Sequence, residues 1–597
     1  MRISINKIVK LLCGIGAASL LIVGFQNCSQ GFNTPTSSTS GASGLPGGSL
    51  PPPPNVTDGL KLNVSYVDQT SAQFVTFKGV VDAAMAGNPD YGFEPQHAAL
   101  MFRITGETRY CDYAIEFAET CPSRYEDATC GVRGAEAAIA AGNRPRVSGD
   151  SYLEVGPIVG SLALTYSWCG NRMSNEQKAR WANYINQAIF NVWHPEEATW
   201  GGRAATWSGW SINNPGNNYY YSFLEATMYW ALATNDTALL NFLRDNKLKA
   251  LTDYYALIPG GGSLEGTGYG AAHMRLFHLY QVWKDSTGQD LSQVSSHLND
   301  SIRYWVHATT PNRAYYAPIG DLARSSFPDL FDYHRRIVLE ARHLTPNVEL
   351  QNLASWWLNH ISVPRMSRRI DSQWDLLPAG TNMAAAPNEP LVYRATGVGR
   401  IFARTGWDTG ALWMTFGAGP YNESHAHQDQ GSFELANNNW LAVTNNIYSA
   451  SGIEQATDYQ NIVRFVQNGN LVPQREGTTS TMVVNQMAPT GELDVTANLT
   501  PAYGANAPVQ NWVRNVRFAA RRLTVTDQFA LGANTQGIFQ VHVPVQPVVN
   551  GNVVTAGALR ITVLSPANPT ITVVNQGRFR VDIAGGTVGY TVELTDQ

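Results

Sequence analysis

The fold is decided by the stretch Phe416–Tyr448, which reads FGAGPYNESHAHQDQGSFELANNNWLAVTNNIY. It places His425, His427 and Asp429 at every second position and continues into the alternating run Ser432-Phe433-Glu434-Leu435. Residues two apart share one face of a β-strand, so an extended backbone would direct both imidazoles and the carboxylate to the same side. The pattern predicts a reactive face at a cleft, the alternative being hydrogen-bonded surface histidines at a strand end.

Several spaced elements around this stretch agree in order: RTGWD at 404–408, FGAGPY at 416–421, HAHQDQGSF at 425–433 and LAVTNNIY at 441–448. Together they resemble the C-terminal β-domain of the heparinase II/III-like polysaccharide lyases. The resemblance implies a multidomain α+β protein, with an N-terminal incomplete α/α toroid followed by a C-terminal antiparallel β-sandwich domain. It also implies that the protein cleaves a polysaccharide by β-elimination.

Composition agrees with a large globular protein and argues against nucleic acid as a partner. The chain has 597 residues, which is too many for one ordinary core, so we expect two domains. Its 46 acidic and 41 basic residues give a net charge of −5, and 44% of the residues are hydrophobic. Because no global basic field exists, recognition of an anion must be local.

The first 57 residues predict export. Residues 1–28 combine Arg2, Lys7 and Lys10 with an apolar stretch that is short for a membrane span, as in an export signal. Cys28 stands where a bacterial lipoprotein is cut and lipidated, and cleavage near Cys28 without a lipid is the alternative. The Ser/Gly/Pro-rich residues 29–57 read as a disordered tether. We therefore expect a periplasmic or cell-surface lipoprotein, or a secreted protein.

The periodicity of the remaining chain predicts three segments. Residues 58–370 are helical, residues 371–391 are a linker, and residues 392–597 alternate as in antiparallel sheets.

Four cysteines follow Cys28, and an even number in an exported chain predicts up to two disulfides of undetermined pairing. These are Cys111, Cys121, Cys130 and Cys169.

An asparagine block opens one predicted helix, within NNPGNNYYYSFLEATMYWALATND at 213–236. A helix start offers unpaired N–H groups and partial positive charge, and the Asn218 amide adds a donor for an anion. The block resembles the NNH-type helix start of α/α-toroid alginate lyases, with Tyr219 where those enzymes have His. We expect Asn218 to neutralise a substrate carboxylate and Tyr219 to bind substrate; simple capping of the helix is the alternative.

The element GGSLEGTGY at 261–269 resembles the EG-x-x-Y loop of the heparinase II/III-like lyases, whose tyrosine acts as acid and base. The resemblance gives that role to Tyr269, while a packing aromatic is the alternative. Glu265 is either a supporting carboxylate or a cap of the following helix. The base is either His425 or Tyr269, according to whether the proton and the leaving group lie on opposite faces or the same face of the sugar, and Tyr269 is the acid.

Elimination by these residues requires no cofactor and no metal. Some members of the family hold a structural zinc through the second His of the HxH pair, an Asp and a later His. His427 matches the first of these ligands, but Thr444 and Gln460 occupy the positions of the other two. One imidazole does not make a zinc site. We expect no zinc of that type, with His427 bonded to Asp429 instead.

Sugar binding is predicted for the loop TWGGRAATWSGW at 199–210, where Trp207 and Trp210 lie among small residues. Arg203, Arg324 and Arg404 are candidate partners for substrate carboxylates or sulfates, with ordinary salt bridges as the alternative.

The leading hypothesis is a lyase acting on an acidic polysaccharide, alginate or glycosaminoglycan-like. One alternative is an α/α-toroid glycoside hydrolase that uses Glu265 with Asp321 or Asp429 as its carboxyl pair. Another is a non-catalytic glycan-binding surface protein on the same scaffold. The sequence leaves the polymer, the stereochemistry and endo or exo action open.

Overall fold

A computed structural model describes residues 59–121, 130–269, 271–322, 327–381 and 388–597, the side chains of 271–274 excepted. The predicted export signal, Cys28, the tether and Arg324 lie outside the described residues. Among the helices within these ranges, none combines the length and apolar character needed to cross a bilayer.

The N-terminal half is helical, as the periodicity predicted. Its α-helices are α1 Ala72–Met85, α2 Pro95–Thr105, α3 Thr108–Thr120, α4 Gly131–Ala140, α5 Ser161–Cys169, α6 Asn175–Trp193, α7 Asn218–Thr234, α8 Thr237–Phe242, α9 Lys249–Ala256, α10 Ala271–Thr287, α11 His297–Ala308, α12 Asp332–Leu344 and α13 Val348–His360. A capping box starts α6, where Gln177 N donates to Ser174 Oγ and Ser174 N donates to Gln177 Oε1.

The helices pack on one another in succession. α2 packs on α5, α5 on α7, α7 on α10, and α10 on α12, as expected for helix pairs of an α/α toroid. Two disulfides tie its N-terminal part together, Cys111–Cys169 between α3 and the end of α5, and Cys121–Cys130 between α3 and α4. The expectation of up to two bridges is confirmed.

The C-terminal part consists of strands, and a small hairpin lies among the helices. The strands are β1 Thr199–Trp200, β2 Arg203–Ala204, β3 Val392–Ala395, β4 Arg400–Arg404, β5 Trp413–Gly417, β6 Pro420–Tyr421, β7 Phe433–Ala436, β8 Trp440–Ala442, β9 Val463–Gln467, β10 Asn470–Val472, β11 Thr478–Thr479, β12 Thr481–Met487, β13 Leu493–Asn498, β14 Val509–Ala519, β15 Arg522–Leu531, β16 Thr535–Val543, β17 Val548–Asn550, β18 Val553–Ala556, β19 Leu559–Ser565, β20 Thr570–Gln576, β21 Arg578–Ala584 and β22 Gly589–Asp596.

Three antiparallel sheets enclose one apolar core. The largest has the order β12-β13-β14-β15-β22-β19-β18-β17, and the other two have the orders β10-β9-β16-β21-β20 and β3-β4-β5-β7-β8. Alternation along β15 buries Leu523 and Val525 and leaves Arg522 exposed, the period that predicted a strand there. The fold class predicted from sequence is confirmed.

Helices and sheets meet where α11 packs on β3 and β4. The indole of Trp413 donates to the carbonyl of His307 at 2.8 Å, and the ring of Tyr393 stacks on that of His307. This junction fixes the loops of the helical half against those of the sheet half.

The histidine pair does not lie on a strand, contrary to the prediction. His425 and His427 belong to the loop between β6 and β7. The amide of Ala426 bonds within the loop, to Glu423 O, and the amide of Gln428 bonds to the neighbouring loop, at Gln455 O. Without a ladder partner on either side, the alternation of residue types produces no strand here.

Candidate active site

The start of α7 is fixed by two asparagines and a glutamate. Asn217 is the N-cap and its side-chain oxygen accepts from Tyr219 N at 3.2 Å. Glu265 Oε1 accepts from Asn217 Nδ2 and from Asn218 N, each at 3.3 Å. The capping alternative is therefore confirmed for Asn217, and Asn218 follows at the first helical position. Asn218 Oδ1 is buried and has no hydrogen-bond partner among the described residues.

Glu265 is completely buried, and within the described part of the chain its second carboxyl oxygen has no hydrogen-bond partner. Burial, together with the carboxylate of Glu423, raises the pKa of Glu265 well above its usual value. Glu423 accepts from Asn214 Nδ2 at 3.2 Å, and burial raises its pKa to about 7. The site is thus rich in carboxyl groups, and burial favours the neutral form of Glu265.

A loop of the helical half then crosses between the two halves. At Gly320 the backbone has φ +71°, and a Cβ there would lie 2.7 Å from Glu265 O and 2.8 Å from His425 O. Asp321 N donates to His425 O at 2.9 Å, and Tyr269 N donates to Asp321 O at 3.1 Å. The backbone of Asp321 therefore bonds to both segments that supply the predicted acid–base pair.

The Asp321 side chain joins the two histidines. Its Oδ2 lies 2.9 Å from His425 Nδ1 and its Oδ1 lies 2.8 Å from His427 Nε2. Burial alone would raise the pKa of Asp321, but these hydrogen bonds outweigh it and hold the pKa below its usual value. Gln455 Nε2 adds a third donor to the same carboxylate.

Tyr269 lies directly against His425. Their ring centroids are 3.8 Å apart and the ring planes differ by 16°, so the rings are stacked. Tyr269 comes two residues before α10, close to the helix start expected for it. His425 Nε2 is 4.0 Å from Glu265 Oε1, the atom that also bonds to the amide of Asn218.

The structure therefore links the three predicted residues through a chain of contacts. The backbone amide of Asn218 and the imidazole of His425 both approach Glu265 Oε1, and the ring of Tyr269 stacks on that imidazole. Asn218 and Tyr269 come from the helical half and His425 from the sheet half.

Tyr219 follows Asn218 at the start of α7, and its ring and that of Trp207 both contact Phe223. The Tyr219 hydroxyl donates to Asp150 Oδ1 at 2.9 Å, within a turn where Asp150, Ser151 and Tyr152 all have positive φ. Trp207 is half-buried, because its ring packs on Tyr152 and its N–H donates to a backbone carbonyl.

Trp210 is 37% exposed, so it presents more open ring surface than Trp207. Of the two stacking candidates, Trp210 is therefore the one tested below.

Arg404 is not available to a substrate, contrary to the prediction. It is 3% exposed and its Nη2 donates to the carbonyls of Val306, His307 and Thr309 at the end of α11. Asp429 also departs from the expectation, because it forms an ion pair with Arg400 while His427 bonds to Asp321. The guanidinium competes better for Asp429 because it carries a permanent charge.

The residues do not fit the zinc site that the resemblance implies. Thr444 Oγ1 donates to Tyr459 O at 2.9 Å, and the Gln460 amide nitrogen lies 3.3 Å from His427 Nδ1. Zinc requires thiolate, imidazole or carboxylate ligands, which neither residue offers. Across the described ranges, no group of three His, Cys, Asp or Glu is arranged to hold a metal.

Two site residues were missed or misjudged from sequence. Asp321 was considered only as a hydrolase carboxyl, and Glu423 was not considered. Glu423 stands two residues before His425 in the opening motif, a spacing that signals a shared site. Asp321 follows Gly320, but nothing in that short segment indicates contact with the histidine pair.

Searches of protein-family models and of curated protein sequences found no match. The structure is nevertheless similar to solved structures. Heparinase III has a TM-score of 0.58 at 12% identity, covering 91% of this chain and 87% of that chain. Heparan sulfate lyase HepC from Pedobacter heparinus has a TM-score of 0.52 at 15% identity, covering 89% and 84%. A heparinase III with methylated lysines has a TM-score of 0.54 at 11% identity, covering 84% and 76%.

These similarities extend over both the helical and the strand-rich parts. They confirm, at the level of the fold, the resemblance to heparinase II/III-like lyases that the sequence motifs indicated.

Proposed function

We propose that this protein is a polysaccharide lyase that cleaves a uronic-acid-containing polysaccharide by β-elimination. One observation supports it most directly: the backbone amide of Asn218 and the imidazole of His425 both approach the carboxyl of Glu265, and Tyr269 stacks on that imidazole. The fold shared with heparinase III and heparan sulfate lyase is consistent with this chemistry. The substrate class we propose is an acidic polysaccharide, alginate or glycosaminoglycan-like.

The first task in such a reaction is to acidify a proton on the carbon next to a carboxylate. Removing that proton adds negative charge beside an existing anion, so donors must stabilise the charge as it spreads onto the carboxylate. We assign this role to the Asn218 amide at the start of α7, where the helix dipole adds partial positive charge. Glu265 holds this helix start by accepting hydrogen bonds from Asn217 Nδ2 and from the backbone amide of Asn218.

Proton transfer is the second task. We assign the base to His425 and the acid that protonates the departing glycosidic oxygen to Tyr269. Their stacked rings hold the two groups side by side.

The hydrolase alternative receives no support from this geometry. Glu265 is fully buried, Asp321 is bonded to two histidines, and Asp429 is paired with Arg400. Each carboxyl that the alternative would use is therefore engaged. Export and lipidation of Cys28 remain part of the proposal, based on residues 1–28 alone.

The test is to incubate the full chain with alginate, heparan-type, hyaluronan and chondroitin polymers. Elimination produces an unsaturated uronate that absorbs ultraviolet light, whereas hydrolysis produces new reducing ends without that absorbance. The expected result is absorbance with at least one polymer and none with Tyr269→Phe. Binding without turnover, unaffected by Tyr269→Phe, would instead identify a glycan-binding protein.

A further inference from the structure

We infer that Asp321 is a positioning residue that fixes the ring tautomer of His425, so that Nδ1 bears the proton and Nε2 presents its lone pair to the substrate. The inference rests on the proposed function for its catalytic consequence, but the arrangement itself is testable without a substrate.

The hydrogen-bond inventory of Asp321 determines the tautomer. An ionised carboxylate only accepts hydrogen bonds, so each nitrogen that contacts it must bear a proton. The contacts are His425 Nδ1 at 2.9 Å, His427 Nε2 at 2.8 Å and the amide of Gln455 at 3.2 and 3.3 Å. Nδ1 of His425 and Nε2 of His427 are therefore the protonated positions.

The far side of His427 agrees with this assignment. The side-chain amide of Gln460 lies 3.3 Å from His427 Nδ1 and donates to it when that nitrogen is unprotonated. The two histidines of the HxH pair thus adopt opposite tautomers around one carboxylate. Opposite tautomers follow from the contacts, because one ring meets Asp321 through Nδ1 and the other through Nε2.

On His425 the tautomer has a chemical consequence. With Nδ1 bonded to Asp321, the nitrogen on the other side of the ring is Nε2, which lies 4.0 Å from Glu265 Oε1 in the cluster that contains Asn218. A base must offer its lone pair to the proton it removes. When Nε2 takes that proton, the adjacent carboxylate also stabilises the resulting imidazolium.

Asp321 also sets the position of the ring, because its backbone bonds to both catalytic segments. Its N–H donates to His425 O, and its carbonyl accepts from Tyr269 N. These backbone bonds do not depend on the side chain. An Asp321→Asn variant therefore isolates the carboxylate, since it keeps the size of the side chain and the loop's backbone contacts.

The first experiment is a long-range ¹H–¹⁵N correlation spectrum of the full chain labelled at histidine nitrogens, with the His425 signals identified by their loss in His425→Gln. We expect the Nδ1–H pattern for His425 and the Nε2–H pattern for His427 in the wild-type protein. An Nε2–H pattern for His425 would overturn the inference, as would zinc found bound to the purified protein with His427 as its ligand. This measurement depends neither on the folding of an Asp321 variant nor on catalysis.

The second experiment compares Asp321→Asn with Asp112→Asn, an isosteric change at an exposed ion pair with Arg172. On a polymer that the wild-type protein cleaves, we expect Asp321→Asn to lower kcat by roughly 10²–10⁴-fold with KM changed little, and to shift His425 to Nε2–H. Unchanged kcat and tautomer would overturn the inference. If the wild-type protein cleaves no uronate polymer, the proposed function fails, and the spectrum still decides whether Asp321 sets the tautomer.

Discussion

The phenol ring of Tyr269 lies flat on the imidazole of His425, with centroids 3.8 Å apart, although the two residues come from opposite halves of the chain. Their contact depends on the loop at Asp321, which bonds to both segments. The cluster can form only when the helical and strand-rich parts are docked. Catalysis should therefore respond to small changes in any of these three segments.

Tyr269→Phe should abolish elimination while leaving the fold intact. The change keeps the ring that stacks on His425 and removes only the hydroxyl that we propose as the acid. General acid catalysis typically contributes about 10²–10⁴-fold, so kcat should fall by at least that factor. The measurement is ultraviolet absorbance with the preferred polymer, together with thermal unfolding.

The matched control for that variant is Tyr113→Phe. The hydroxyl of Tyr113 donates to Ala84 O within the helical half. Tyr113→Phe therefore removes a hydrogen-bonded phenol hydroxyl outside the proposed site. It should leave kcat unchanged. Wild-type kcat in Tyr269→Phe would rule out the phenol as the acid.

Asn218→Ala should reduce kcat by roughly 10²–10³-fold, the effect typical of removing one donor to a developing oxyanion. Asn218→Asp should be at least as damaging, because it keeps the shape of the side chain but places a carboxylate against the uronate. Both variants retain the Asn217 cap and the backbone bond to Glu265. A loss confined to KM would instead indicate simple binding.

Trp210→Ala should raise KM by about 3–10-fold with little change in kcat, since stacking of an aromatic ring contributes roughly 0.5–1.5 kcal/mol. Trp210→Phe should restore most of the affinity. The measurement is initial rate against polymer concentration. If KM stays at the wild-type value in Trp210→Ala, the exposed ring lies outside the substrate path.

Local sequence revealed the parts of the site that depend on local structure. The asparagine block at a helix start, the glycine-rich loop before Tyr269 and the HxH pair each have a recognisable pattern within a few residues. Asp321 could not be assigned in this way, because its role arises only when three distant loops converge. The raised pKa of Glu265 was equally hidden, since burial is a property of the assembled halves.

Arg404 shows the converse error. Its place in the motif RTGWD suggested that Arg404 binds an anion. The sequence could not reveal that the last carbonyls of α11 lie against the Arg404 side chain. Carbonyls at a helix end lack partners within the helix, and a cation there is favourable. The side chain therefore serves the junction of the two halves.

Arg404→Met should accordingly destabilise the protein by about 2–4 kcal/mol and leave KM unchanged, because the carbonyls of α11 lose a buried donor. Thermal or denaturant unfolding measures the loss. Arg394→Met, at an exposed position of β3, provides the control and should change stability little. A raised KM with unchanged stability would return Arg404 to the substrate site.

Glu423 should make stability depend on pH. Burial raises its pKa from 4.5 to about 7, while the Asn214 hydrogen bond opposes the rise and Glu476 adds to it. Between these two values the unfolded chain releases a proton that the folded protein retains. The free energy of unfolding should therefore fall as pH rises through this window, by roughly 3 kcal/mol from this group, and change no further above it.

Glu423→Gln removes this dependence because its neutral amide cannot ionise. The stability of the variant minus that of the wild-type protein should therefore be larger at about pH 8 than at about pH 5. Thermal unfolding of both proteins at the two pH values measures this difference. Glu196→Gln, at an exposed position, is the control and should show no such difference. If Glu423→Gln instead changed stability by the same amount at both pH values, Glu423 would be ionised in the folded protein. The carboxyl groups near the start of α7 would then repel a uronate.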